Sequence, residues 1–309
     1  MYKELFNGYN CLSAAIGEYC GRKQIIQVQE LINSQYTFLF DENLFWKNEW
    51  FAGSTLEPVD KFLVSDLEQF GLGHITEKVM TIDDEKMYML QEQLLIVLVD
   101  FFYMDSVDWK MMKRFNIYPE HDPHFIIVSS INQNLGTVHV IDPYYNFEGD
   151  VLLDTYRKAR TGNTRQGEVK GRAYIFEQQN QTDIDMEYMF LYRLKRFNEN
   201  KMFDSIFKMG EAFDKRRLIY GINQDRKWAI DAYNCLRSAL DQHENIKEFI
   251  KRHGIGFYEQ FSELVNDWGN IRKKLIEYYN HRLDDLEEIS YLVHKLAQKE
   301  KYLVTEILI

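Results

Sequence analysis

The sequence of 309 residues is poor in proline, cysteine and positive charge. It has only four prolines and no low-complexity tract, which excludes extensive disorder and predicts a compact fold throughout. Its three cysteines, Cys11, Cys20 and Cys235, are an odd set without metal-ligand spacing, so we expect reduced thiols and no metal site. The formal net charge of -11 argues against a nucleic-acid partner, because such affinity comes chiefly from cations that neutralise phosphates.

Long hydrophobic runs are also missing. The most apolar stretch, residues 94–103, is too short for a membrane span and carries Asp100. The first residues lack the basic segment and long apolar stretch of a secretory signal. We therefore expect a cytoplasmic protein without a membrane role.

The hydrophobic pattern predicts two domains. Up to residue 180, helical patterns mix with short β-branched runs at 94–99, 124–129 and 137–142, which is the pattern of strands. Beyond it, apolar residues recur only at three- and four-residue steps. We expect an α+β fold, with a mixed domain built on an antiparallel sheet over 1–180 and an α-helical bundle over 181–309.

Cys11 begins a predicted helix that ends near Gly21. The unsatisfied N–H groups of a first helical turn carry partial positive charge, which stabilises a thiolate. Cys20 lies near the other end of this helix, and Cys235 falls within a helical stripe that predicts core. Cys11 is therefore the candidate nucleophile, although a cysteine near a helix start is more commonly a small buried hydrophobe.

A nucleophilic thiolate also needs a histidine and a group that orients the imidazole. His124 begins one predicted strand and Asp142 ends the next, with a predicted hairpin loop at 132–136 between them. In an antiparallel hairpin these two positions are adjacent. We therefore predict a catalytic triad of Cys11, His124 and Asp142, in the order of papain-like cysteine enzymes.

Each of these residues also has an ordinary structural interpretation. His124 can be a loop residue, and an aspartate before a proline is commonly only part of a turn. The coincidence of three suitable residues at three suitable positions favours the triad. We expect His121 to line the entrance or to be solvated, His139 to lie in mid-strand, and His74 to have no metal role, since it lacks companion ligands.

Four short motifs together resemble the butirosin biosynthesis protein H N-terminal family, which is related in fold to bacteriocin-processing cysteine peptidases. They are residues 10–16 (NCLSAAI), 96–100 (IVLVD), 124–128 (HFIIV) and 138–143 (VHVIDP). The resemblance covers roughly residues 8–175. The sequence is also similar to the protease-like amide synthase of closthioamide assembly, which joins carrier-bound acyl units to a diamine.

The resemblance implies a papain-like fold used for acyl transfer in antibiotic biosynthesis. The cysteine would take an acyl group from a carrier-protein phosphopantetheine thioester and pass it to an amine acceptor. No cofactor would be bound, because phosphopantetheine arrives on the carrier. Papain-like peptidases have a glutamine about six residues before the cysteine as an oxyanion donor. That position is Leu5 here, so Asn7 and Asn10 are the side-chain candidates beside the N–H of Cys11.

The segment from Tyr156 to Tyr174 reverses the overall charge, with six cations against Glu168 alone. An acidic carrier protein needs a basic docking face, and this segment is the candidate, although a solvated basic loop explains it equally well. Its cations are Arg157, Lys158, Arg160, Arg165, Lys170 and Arg172.

Two further groups of residues fit an active site. Aromatic residues at 38–51 and 101–103 would suit either a dry acyl pocket or plain core. Acidic residues near the predicted entrance would either attract a cationic amine or be solvated loop charges; they are Asp100, Asp105, Glu120 and Asp122.

Three functions follow from these features. The leading one is an ATP-independent, cysteine-dependent acyltransferase that forms amides. The second is hydrolysis of the acyl-enzyme by the same triad, as a thioesterase or cysteine peptidase. The third is a non-catalytic small-molecule-binding or immunity protein, and the intact Cys, His and Asp weigh against it.

Overall fold

The computed structural model of the protein divides into two units. The structure describes residues 5–92, 94–115, 118–179, 184–220, 226–283 and 285–309. Unit 1 comprises Met1–Ile32 and Glu57–Asp183, and unit 2 comprises Asn33–Leu56 and Ile184–Ile309.

Unit 1 is built on a six-stranded antiparallel sheet in the order β3-β10-β4-β5-β6-β7. Every residue of β4 is buried, as its continuous apolar run predicts for a central strand. The strands are β3 (Gly73–Val79), β4 (Leu95–Asp100), β5 (Pro123–Asn132), β6 (Thr137–Asp142), β7 (Phe147–Leu152) and β10 (Arg172–Gln178), with a small pair β8 (Asn163–Thr164) and β9 (Gly167–Glu168).

Strands β5 and β6 form the predicted hairpin, in which Ile127 faces Ile141 and Asn132 faces Thr137. This register brings the beginning of β5 next to the end of β6. The helices of unit 1 are α1 (Cys11–Arg22), α2 (Ile26–Asn33, whose last residue belongs to unit 2), α4 (Lys61–Gln69), α5 (Ile82–Glu92), α6 (Trp109–Met112) and α7 (Leu153–Arg160).

Unit 2 is mainly helical. Its long helices bury the apolar stripes seen in the sequence; Phe261, Leu264, Trp268, Ile271 and Leu275 are all within the core. The elements are β1 (Leu39–Phe40), α3 (Glu42–Lys47), β2 (Ala52–Gly53), α8 (Met186–Glu199), α9 (Met202–Tyr220), α10 (Lys227–Cys235), α11 (Arg237–His253), α12 (Tyr258–Tyr279) and α13 (Glu287–Leu308).

The structure confirms a mixed α+β chain with an antiparallel sheet and a C-terminal helical region. The predicted boundary at residue 180 lies close to the passage into unit 2 at residue 184, whereas the earlier residues 33–56 also fall in unit 2. Residues 33–56 belong to unit 2, because their aromatic side chains pack into its core. The ring of Phe45 lies 5.6 Å from Trp228, and that of Phe38 lies 5.3 Å from Trp268. This half of the expected aromatic pocket is therefore core.

Among the helices in the described ranges, none is both long enough and apolar enough to cross a membrane.

Candidate functional site

Helix α1 begins at Cys11 because its N-terminus is capped by Asn10. The Asn10 side chain accepts a hydrogen bond from the Ser13 N–H at 2.8 Å, and the Ser13 hydroxyl accepts one from the Asn10 N–H at 2.9 Å. This reciprocal capping box fixes where the helix starts. Cys11 is thereby held in the first turn, half-buried, and close enough to His124 to influence the pKa of its imidazole.

The cap is supported by a carboxylate that the sequence did not reveal. Asp60 is fully buried and accepts hydrogen bonds from the Tyr9 hydroxyl at 3.0 Å and from the Asn10 side-chain amide at 3.1 Å. It also caps α4 by accepting from the Leu63 N–H. Burial raises the pKa of Asp60, while these three donors act in the opposite direction.

His124 and Asp142 meet as the hairpin predicts. Nε2 of His124 is 2.9 Å from Oδ2 of Asp142, and both side chains are buried. Asp142 directly precedes the turn Pro143–Tyr145 but makes no side-chain hydrogen bond that caps it. Because Nε2 is engaged by the carboxylate, Nδ1 is the ring nitrogen left for the thiol of Cys11.

The surroundings of His124 favour a charged imidazole. Burial alone lowers its pKa, but the charge of Asp142, the hydrogen bond to that carboxylate and the Cys11 side chain outweigh burial and raise the pKa to about 10. Phe101 and Tyr145 stack on each other at 4.9 Å and lie 4.6 and 5.5 Å from the His124 ring. These rings limit the access of water to the pair.

The other two cysteines lie near the C-termini of their helices and not at a helix start. Cys20 and Cys235 are both buried. Burial raises the pKa of the Cys20 thiol, which disfavours its thiolate.

Asn10 does not fit its predicted role as an oxyanion donor. Its side-chain oxygen accepts from Ser13 and its amide donates to Asp60, so this side chain serves to cap α1. Asn7 is exposed, four residues before the nucleophile. Within the described residues, the backbone N–H of Cys11 makes no hydrogen bond, since it lies in the unsatisfied first turn of α1. It is the donor best placed for an oxyanion on a group bound to its own sulfur.

The predicted docking segment is not a single basic face. Arg160 is 2% exposed and binds Glu85, with further hydrogen bonds to the carbonyls of Leu98 and Arg172. A buried guanidinium is stable only with such partners, so Arg160 holds α7 to the sheet and cannot dock a carrier.

The remaining cations of this segment are mostly matched by anions. Arg165 binds Asp122 through Nε at 2.6 Å and Glu120 at 2.9 Å, so the expected charge excess is much reduced. The others are Arg157, paired with Asp154; Lys170, paired with Glu168; Arg172, bonded to the carbonyls of Val169 and Glu168; and Lys158, which is exposed.

The expected acidic entrance also differs from the structure. Asp100 is fully buried, with Oδ2 2.8 Å from Nδ1 of His121. His121 is exposed, and its ring is held by this carboxylate. Asp100 ends β4 and His121 lies just before β5. The two residues meet because β4 pairs with β5, and no local sequence pattern reveals that pairing. Of the four acidic residues, Asp105 is exposed and takes no part in the contacts of His121 and Arg165.

The sequence matches no protein-family model, and no curated protein is significantly similar to it.

Proposed function

We propose that this chain is a cysteine-dependent acyltransferase of papain-like build, which moves an acyl group from a carrier-protein phosphopantetheine thioester through acyl-Cys11 to an amine. The observation that carries the proposal is the pairing of His124 with Asp142 at 2.9 Å, together with the influence of Cys11, at the start of a helix, on the pKa of the same imidazole. A nucleophile, a base and an orienting carboxylate are the parts that thiol acyl transfer needs.

In the first half-reaction the Cys11 sulfur attacks the thioester carbonyl and the bond to the pantetheine sulfur breaks. The His124 imidazolium gives its proton to the leaving thiol, since its pKa of about 10 keeps it protonated at neutral pH. Asp142 holds the ring and stabilises its positive charge. The N–H of Cys11 is placed to bind the carbonyl oxygen as it becomes negative.

In the second half-reaction an amine attacks acyl-Cys11 and His124 accepts a proton. Conversion of a thioester to an amide is downhill, so neither ATP nor a bound cofactor is required. The enzyme must mainly keep water from the acyl group and hold the amine close. Burial of His124 under Phe101 and Tyr145 supports such a water-poor site. The carrier-bound donor and the biosynthetic setting come from the sequence resemblance to the butirosin family.

The direct test is mass spectrometry of the intact protein after mixing with acyl-carrier thioesters. We expect a single acyl adduct on wild-type protein and none on Cys11→Ala, because Cys11 lies in a first helical turn whereas Cys20 and Cys235 are buried. Cys20→Ala and Cys235→Ala are the matched controls and should acylate normally. His124→Ala should fail as completely as Cys11→Ala, whereas Asp142→Asn should retain more activity because its role is orientation.

The fate of the adduct separates transfer from hydrolysis. We expect a diamine or polyamine to discharge acyl-Cys11 faster than water does. Rapid decay that no amine accelerates would instead support a thioesterase or peptidase. Adduct formation on Cys11→Ala would contradict the assignment of the nucleophile.

A further inference from the structure

A second histidine–carboxylate pair lies at the same edge of the sheet as the triad. His121 Nδ1 is 2.8 Å from Oδ2 of the buried Asp100. Asp100 ends β4 opposite Pro123, so its backbone lies one strand spacing, about 5 Å, from the beginning of β5, one residue before His124. Successive rings of one short turn contact the two imidazoles: Phe101 contacts His124 and Phe102 stacks on His121 at 4.2 Å.

His121 is held from several directions although it is half-exposed. Its carbonyl accepts the Arg165 N–H at 2.8 Å, and the Arg165 guanidinium binds the acidic residues on either side, Glu120 and Asp122. Gly162 leaves the space for the Asp100 carboxylate, since a Cβ there would lie 2.4 Å from Oδ2. An exposed imidazole fixed in this way is unlike a solvated loop residue, whose side chain is unrestrained.

The His121 ring has one nitrogen that can contact a bound molecule. Nδ1 is taken by Asp100, and Nε2 makes no hydrogen bond to the described part of the chain. Nε2 is therefore free to accept a proton from a bound molecule, and the carboxylate behind the ring would stabilise the resulting charge.

Amide formation from an alkylammonium ion requires a second base. Three hydrogens are bound to nitrogen in the ammonium and one in the amide, so two protons must leave. In the proposed reaction His124 has already given its proton to the departing pantetheine thiol and can accept only one. The other must leave before attack, because a protonated amine has no lone pair.

We infer that His121, oriented by Asp100, is this second base and that the acceptor is an alkylamine that is protonated at neutral pH. The inference rests on the proposed acyl transfer. Nε2 of His121 takes one proton from the ammonium and releases it to solvent. The free amine then forms the C–N bond, the C–S bond breaks with its electron pair on Cys11, and His124 takes the second proton.

The test is the single-turnover discharge of acyl-Cys11 in His121→Gln. With an alkyl diamine at neutral pH we expect discharge about a hundredfold slower than in wild type, the size of a typical general-base contribution. With hydroxylamine, which is unprotonated at this pH, discharge should match wild type within about twofold. Raising the pH above the pKa of the diamine should restore the rate of His121→Gln, because solvent then supplies the free amine.

The chain offers a matched control in His139. Its Nδ1 is 2.7 Å from Asp150, and its side chain is 35% exposed, against 46% for His121. Its other carboxylate neighbour is Glu148, which also binds Arg22. Arg22 is the last residue of α1 and lies some 16 Å along that helix from Cys11. His139→Gln should therefore discharge both amines at the wild-type rate.

The charged groups around His121 are Asp100, Glu120 and Asp122, the last two held by Arg165.

Asp100→Asn is the second variant and should slow only discharge by the diamine. The rate of acylation reports whether each variant retains a folded triad. Equal slowing with both amines would assign His121 a purely structural role, and an unchanged diamine rate would also overturn the inference. If wild type forms no adduct or is not discharged by amines, the proposed function itself fails, and this inference with it.

Discussion

The charge of His124 links the chemistry of the site to the stability of unit 1. Its folded-state pKa of about 10 lies above the ordinary value of 6.5. The folded protein therefore holds a proton that the unfolded chain releases between these two pH values. Stability from this residue is fully present below pH 6.5 and is lost as the pH rises toward 10.

We predict that the stability advantage of wild type over His124→Gln shrinks as the pH rises through this window. The expected slope is at most about 1.4 kcal/mol per pH unit, since one proton is involved. Urea unfolding of both proteins at several pH values between 6 and 10 measures it. Parallel stability curves would show that the imidazole in the folded protein is neutral.

At the scale of elements, the entry into α1 depends on a close backbone approach at Gly8. A Cβ on this residue would lie 2.2 Å from the Ala14 backbone nitrogen, and neither backbone segment can rotate away. The chain before Cys11 is also held by hydrogen bonds from the Leu5 N–H to Asn146 and from the Phe6 N–H to Glu18. The position of Cys11 is therefore set by contacts on both sides of the cap.

Gly8→Ala should accordingly move the beginning of α1. We expect a loss of about 2 kcal/mol or more in stability, as for other overpacked sites, together with slower acylation of Cys11. Gly269→Ala in α12 is the control, because a Cβ there meets nothing within 4 Å. Alanine has the higher helix propensity, so the control should gain about 0.5–1 kcal/mol. Thermal unfolding and adduct formation measure both effects, and normal acylation by Gly8→Ala would contradict the argument.

Local patterns predicted those parts of the site that are defined within one element or one hairpin. The capped start of a helix at Cys11 and the pairing of His124 with Asp142 need only the helix boundary and the hairpin register. The polarity of Arg160 alone predicts an exposed side chain. Its burial depends on Glu85, which is 75 residues away in the sequence, so no local pattern indicates it. The pair formed by Asp100 and His121 depends on the pairing of β4 with β5, which periodicity does not specify.

At the scale of the whole molecule, residues 33–56 show why the domain prediction was incomplete. Hydrophobic periodicity indicates that a segment has a buried face but not which core buries it. Tyr36 donates a hydrogen bond to Glu300, and the Trp268 indole donates to the same carboxyl at 3.0 Å. Phe45 packs against Phe51 at 5.0 Å as well as against rings from the long helices. This segment is therefore a structural part of unit 2, although the sequence on both sides of it belongs to unit 1.

This division predicts how unit 1 can be isolated. A chain that ends at residue 183 and retains residues 33–56 loses the partners of these aromatic side chains, so we expect it to expose them and aggregate. Replacing residues 33–56 in the same chain with a flexible Gly/Ser linker should give a soluble protein, because the sheet keeps the core that it forms with α5 and α7. Light scattering and the acylation of Cys11 compare the two. If the linker-containing chain aggregates as readily as the other, then unit 1 depends on unit 2 for its stability, and the two cores are not separable.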